Sequence, residues 1–167
     1  MKRVFTLLVI MAASLVIADD IAANQPVINP TDEPTMKDVY NFVKKCGYYF
    51  IATVEGDQPR VRPFGTIAIF ENKLYIQTSK QKNVAKQLKA NPKIEICALD
   101  LAEGKWLRIE AEAIPDERIE AKKFMLEEYP ELKNMYAADD DKTLVLYLKN
   151  VTAVFSSFTG EPKVVKF

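Results

Sequence analysis

The chain has 167 residues, 49% hydrophobic and 28% charged, a composition that fits one ordinary folded domain and excludes a disordered or fibrous chain. Lysine plus arginine equals aspartate plus glutamate at 23 each, so no overall field draws it to nucleic acid or an anionic membrane, and any anion site must be local. There is no histidine, which removes imidazole triads and most zinc or non-haem iron sites; no metal is expected, and redox chemistry would fall to a bound cofactor.

Lys2 and Arg3, an apolar run over residues 4–17 and small residues at Ala18, Ala22 and Ala23 form the pattern of a secretory signal. The run is shorter than the roughly 20 apolar residues of a bilayer span, so cleavage is expected rather than membrane anchoring. Cutting fits after Ala18 or Ala23, and Ala23 is preferred. The mature protein is then periplasmic or extracellular. Residues 24–34, with Pro26, Pro30 and Pro34, read as a flexible leader, and residues 35–167 as one folded domain.

Within that domain Thr35 is placed to cap a helix to about residue 46, with Asp38 at its third position, Val39, Phe42, Val43 and Cys46 on one face, and Gly47 as its stop. From residue 48 the period shortens. Strands are expected over 48–54, 60–70 and 73–78, separated by turns at 55–58 and 71–72. A polar loop over 79–83 leads to a short helix over 84–90, then strands over 93–99 and 105–114. Asp116 is placed to cap a further helix ending near Tyr129 and Pro130, and two last strands fall over 143–148 and 151–158. Antiparallel pairing through tight turns, with about seven strands in so short a chain, favours closure into a barrel with flanking helices. Cys46 and Cys97 lie outside any CxxC spacing; buried free thiols are the plainer reading, and a single disulfide stays open.

The stretch Ile76-Gln77-Thr78-Ser79-Lys80-Gln81-Lys82-Asn83 runs from a strand end into a helix start. Free backbone N–H groups, the positive end of the helix dipole and the Thr78, Ser79, Lys80 and Lys82 side chains suit a phosphate. The plainer alternative is a helix start flanked by solvated lysines. Arg60 and Arg62 share a strand face, where a guanidinium fork can meet a phosphate or a ring edge, and Gly65 permits close approach of a planar ligand. Trp106 and Arg108 share another strand face, although a lone tryptophan is more often core than cofactor wall.

Taken together, residues 56–65, 86–96, 106–108, 132–136 and 157–161 resemble the FMN-binding split-barrel family related to pyridoxamine 5'-phosphate oxidase, most closely its small members, which include the nitroimidazole-resistance flavoproteins. The resemblance implies an α+β, mainly β fold: an antiparallel split β-barrel with flanking helices, forming a homodimer with FMN in clefts between the subunits. It implies that Arg62, Pro63 and Phe64 line the flavin and that Thr78, Ser79, Lys82 and Asn83 hold its phosphate; Trp106 is added as an aromatic candidate. Relatives often carry adjacent Arg and Lys where this chain has Lys82-Asn83, and nitroimidazole-resistance members use a histidine that is missing here. The residues 164–167 carry no Arg-rich run, so oxidation of the vitamin phosphate is not expected. The implied activity is an FMN-dependent oxidoreductase moving electrons from a small-molecule donor to a small acceptor. The alternative is a non-catalytic exported module that binds flavin or haem, and a third reading keeps only a structural role.

Overall fold

The change from helical to alternating periodicity at residue 48 sets the architecture. The computed structural model describes residues 33–167, so the expected signal segment and all but the last two residues of the expected leader lie outside the described residues. Helix α1 (Met36–Cys46) begins as its sequence dictates: the Thr35 hydroxyl accepts from the Asp38 N–H at 3.3 Å, while the Asp38 carboxylate accepts from the Thr35 N–H at 2.8 Å. Gly47, at φ 74°, ends it in a conformation that penalises a side chain. Val39 and Val43 turn into the core, with Phe42 and Cys46 packed beside them.

Strands β1 (Tyr49–Glu55) and β2 (Gln58–Phe64) form an antiparallel hairpin. β2 lies at one end of the sheet, where Pro59 and Pro63 can be accommodated without breaking an interior ladder. The single strand expected over 60–70 is interrupted, and β3 (Ala68–Phe70) is separate. Between them the backbone finds tyrosine hydroxyls instead of a ladder. Tyr49 donates to the Thr66 carbonyl at 2.7 Å, and the Tyr129 hydroxyl accepts from the Ile67 N–H at 2.8 Å and donates to the Ile67 carbonyl at 2.7 Å.

The chain continues through β4 (Lys73–Ser79), α2 (Asn83–Ala90), β5 (Lys93–Asp100), β6 (Lys105–Pro115) and α3 (Ile119–Glu128). A 3-10 turn (Pro130–Asn134), β7 (Thr143–Ser157) and β8 (Lys163–Lys166) complete it. The two strands expected over 143–158 are one. Asn150, at φ 55°, does not turn the chain back; it falls where the β6 register shifts between Glu110 and Glu112, so the long strand carries an irregularity instead of a hairpin. Its first part pairs with β4 and its last part with β8. Asp116 does not cap α3, because its carboxylate is held by Arg118 and by the Tyr75 hydroxyl at 3.0 Å. Burial, followed by that hydrogen bond, pushes Tyr75 up to about 12, while Arg118 holds Asp116 below the ordinary carboxylate range.

The strand order is β2-β1-β5-β6-β7-β4-β3, with β8 against β7 and every pairing antiparallel. The sheet is curled but not closed: its ends, β2 and β3, do not pair with each other, which is the split-barrel architecture. Inside the curl, Ile51, Ile76, Ile96, Leu107, Ile109 and Leu146 pack with α1 and with Val84 and Leu88 of α2. A smaller cluster joins Ala121, Met125 and Tyr129 to Tyr75 and Val145. The outward face of β1, β5 and β6 carries exposed apolar residues beside the Glu95–Arg108 ion pair. Phe50, Cys97 and Leu99 are exposed there, so the buried thiol expected at Cys97 is not found, and both cysteines are free. Trp106 stands on this face against Phe158, with ring centroids 5.3 Å apart.

Candidate functional site

The end of β2, the end of β4 and the segment after α3 meet around a cleft of about 550 Å³. One wall is Arg62, Pro63, Phe64, Gly65 and Thr66. Gln77, Thr78, Lys82 and Val84 come from β4 and the start of α2, and Tyr129, Leu132, Met135 and Tyr136 close the other side. The Tyr48 ring covers Gly65, where an added Cβ would approach ring atoms to 3.2 and 3.3 Å. Glycine here permits the close approach of the Tyr48 ring.

Arg62 is anchored. Its Nη1 donates to Thr53 Oγ1 at 2.6 Å and to the Ile51 carbonyl at 3.3 Å, and its Nη2 donates to Gln87 Oε1 at 2.7 Å. Thr53 donates in turn to Gln87 Oε1 at 2.6 Å, so the guanidinium is tied to α2. Three contacts leave part of its five-donor fork for a ligand. Partial burial, with Arg60 adding repulsion, pulls its pKa below the ordinary arginine value, and it remains a cation at neutral pH.

Lys82 is exposed on the same cleft, at the position preceding α2. The helix start has no side-chain cap and no acidic residue in its first turn. Its free N–H groups, the dipole, Arg62 and Lys82 therefore all add positive potential to the same cleft. Glu131 is the carboxylate on the cleft wall.

The expected residues divide accordingly. Arg62, Pro63, Phe64, Thr78 and Lys82 are brought together on the cleft; Ser79 and Asn83 flank it without forming its wall. The buried Ser79 hydroxyl accepts from the Gln81 N–H at 3.2 Å. Trp106 is on the outward sheet face and not on this cleft. Arg60 is occupied by Glu55 at 2.7 Å, and Lys80 by Glu117 at 2.6 Å, so neither adds charge to the cleft. Sequence reasoning missed Gln77, Tyr129, Met135 and Tyr136 as wall residues. A lone amide after Leu74, Tyr75 and Ile76 was the available signal for Gln77.

Tyr129 is a structural rather than a proton-transferring group. Its hydroxyl serves both backbone atoms of Ile67 and accepts from Lys44 Nζ at 3.1 Å. Among the described residues no cluster of three or more His, Cys, Asp or Glu could hold a metal, and no helix is long and apolar enough to cross a membrane.

The family model for pyridoxamine 5'-phosphate oxidase matches residues 35–157. A NimC/NimA family protein from Clostridium acetobutylicum is 43% identical, with a TM-score of 0.76 over 79% of this chain and 92% of that one. General Stress Protein 26 from Bacillus anthracis, at 14% identity, shares the fold with a TM-score of 0.62 over 77% of this chain and 98% of its own. The haem storage protein HutZ from Vibrio cholerae does so at 19% identity and a TM-score of 0.55, over 68% and 88% respectively. No curated protein matches. With a family match across most of the described domain and a 43% identical relative of the same architecture, the chain belongs to the pyridoxamine 5'-phosphate oxidase family.

Proposed function

We propose that the cleft binds FMN and that the protein is an exported FMN-dependent oxidoreductase acting on small molecules. The observation that carries this reading is the convergence of Arg62, Thr78, Lys82 and the uncapped start of α2 on one cleft. The donor set fits the group: two cations and free helix N–H groups suit a doubly charged phosphate, and the Tyr48-Gly65 wall and Phe64 suit a planar ring. Bound there, FMN would supply two-electron transfer between a reductant and a small acceptor.

The chain's own part is to bind, orient and exclude water. Arg62, held by Thr53 and Gln87, is a charge fixed in advance; Lys82 is an exposed one that forms no ion pair among the described residues. Tyr129 keeps the 65–67 segment in place through its bonds to Ile67.

The apolar outward face supports a homodimer. An antiparallel sheet face left to solvent is normally polar, whereas Phe50 is 55% exposed and Leu99 52% exposed on this one. In such a dimer Trp106, on the same face and absent from the wall of its own chain's cleft, lies at the interface.

The signal-like N-terminus supports export, and a chain threaded unfolded through a secretion channel would acquire FMN outside. The test is the visible spectrum of protein isolated from its native compartment, followed by anaerobic addition of a reduced nicotinamide. Flavin bands that bleach support the oxidoreductase; bands that persist convert the reading to a non-catalytic flavin-binding module. Protein that neither contains nor takes up FMN overturns the proposal.

A further inference from the structure

Helix α2 borders a second concavity. On the side opposite Gln87, whose amide holds Arg62, a groove of about 620 Å³ lies between α2, the end of β6 and the start of β7. Ala85 and Lys89, each two residues from Gln87, point away from it at 3.6 residues per turn, and both line the groove. None of the lining residues belongs to the wall of the cleft described above.

The groove combines an aliphatic floor with unbalanced positive charge. Leu88, Leu144 and Leu146 are buried beneath it, and Pro92 and Pro115 add apolar surface. Among the described residues no aromatic ring and no uncharged hydrogen-bonding side chain lines it. Glu117 is taken up by Lys80 at 2.6 Å and by Lys122 at 3.5 Å. Lys86 and Lys89 are exposed and form no ion pair among the described residues. They lie three apart on α2, which has no acidic residue, and like charges at that spacing repel. An anion between them removes the repulsion. The helix dipole accounts for cations in a last turn, but not for their place beside an aliphatic surface.

We propose that this groove is a binding site for a small aliphatic monoanion, an acyl carboxylate whose chain covers the leucine floor and whose head meets Lys86 and Lys89. A body rich in hydrogen-bonding groups would give up water there without gaining partners, and a cationic head would face two like charges. The volume falls within the roughly 300–1,000 Å³ of small-molecule sites. Sharing no residue with the cleft, the site stands whether or not the cleft holds flavin.

The experiment is calorimetric titration of the full chain with decanoate, octanoate and decyltrimethylammonium, in wild type, in Lys86→Gln/Lys89→Gln and in Ala85→Phe. Wild type should bind octanoate about 4- to 16-fold more weakly than decanoate, as two methylenes leave the floor, and decyltrimethylammonium at least about tenfold more weakly. Losing both lysines should weaken decanoate about 3- to 10-fold, the modest range of solvent-exposed charges, and filling the groove in Ala85→Phe about tenfold or more. Both lysines are exposed, so the double variant keeps the test independent of how α2 packs in Ala85→Phe. Binding that persists in excess FMN supports a separate site. Wild type that takes up no decanoate at millimolar concentration overturns the inference, as does binding matched by decyltrimethylammonium, unaltered by loss of the two lysines, or displaced by FMN. Sedimentation reads the other occupant: a dimer lost in Ala85→Phe makes the groove an interface between copies and overturns the inference as well.

Discussion

Replacing Lys82 with alanine isolates the phosphate part of the account, because Lys82 lines the cleft yet forms no ion pair among the described residues. It also makes no capping hydrogen bond to α2, so its loss should leave fold stability within about 0.5 kcal/mol. A charge-assisted hydrogen bond contributes about 1.5–3 kcal/mol, and exposure of the Lys82 side chain places its contact near or slightly below the lower end. About 1.4 kcal/mol corresponds to tenfold in affinity. The assay is quenching of flavin fluorescence with FMN and with riboflavin, which has the same ring and no phosphate. Lys82→Ala should weaken FMN about tenfold and riboflavin by less than about twofold, and raising the salt should shrink the difference. Equal weakening of both ligands would place Lys82 against the ring and refute the reasoning, as would unaltered FMN binding.

Gly65→Ala puts a Cβ at 3.2 Å from the Tyr48 ring, and because that ring is exposed it can swing aside; FMN affinity should fall about three- to tenfold with less than about 1 kcal/mol lost in chemical denaturation. Asp116→Asn should destabilise the domain by about 1 kcal/mol at neutral pH, discounted because the Arg118 partner is half-exposed. Since Arg118 lowers the folded-state pKa of Asp116, that stability is present above the unfolded pKa and lost as pH falls through the lower folded value. Denaturation curves of Asp116→Asn and wild type should therefore converge well below about pH 4. Leu99→Lys sets a charge on the outward apolar face and should shift sedimentation from dimer toward monomer; an unaltered dimer would move the interface elsewhere.

What could be read in advance was whatever local chemistry decides. The Thr35–Asp38 capping box, the Gly47 stop and the turn at Glu71-Asn72 with both residues at positive φ follow from short-range patterns, whereas the approach of Arg62 to Thr78 and Lys82 joins strands that are not neighbours in the sheet and was legible only through the family resemblance. The misses arise from distant partners. Tyr129, 62 residues away, takes the hydrogen bonds of Ile67 and so splits the expected strand over 60–70. The long β7 stays whole because β6 shifts register opposite Asn150, and β8, with Val164 and Val165 between lysines, forms only because the last part of β7 needs a partner. Cys97 was expected inside because its strand is apolar, but that strand carries apolar residues on both faces. Gln77 follows the same logic in reverse: its burial comes from tertiary packing, which no single segment displays.

The central claim is that Arg62, Thr78, Lys82 and the start of α2 form a phosphate site beside a ring-binding wall. A crystal structure of the full chain grown with FMN tests it most directly. The account predicts the phosphate at the N-terminus of α2 in contact with Arg62 and Lys82, and the ring against Gly65 and Phe64. FMN seated elsewhere on the molecule, with this cleft filled by solvent alone at saturating flavin, would contradict it.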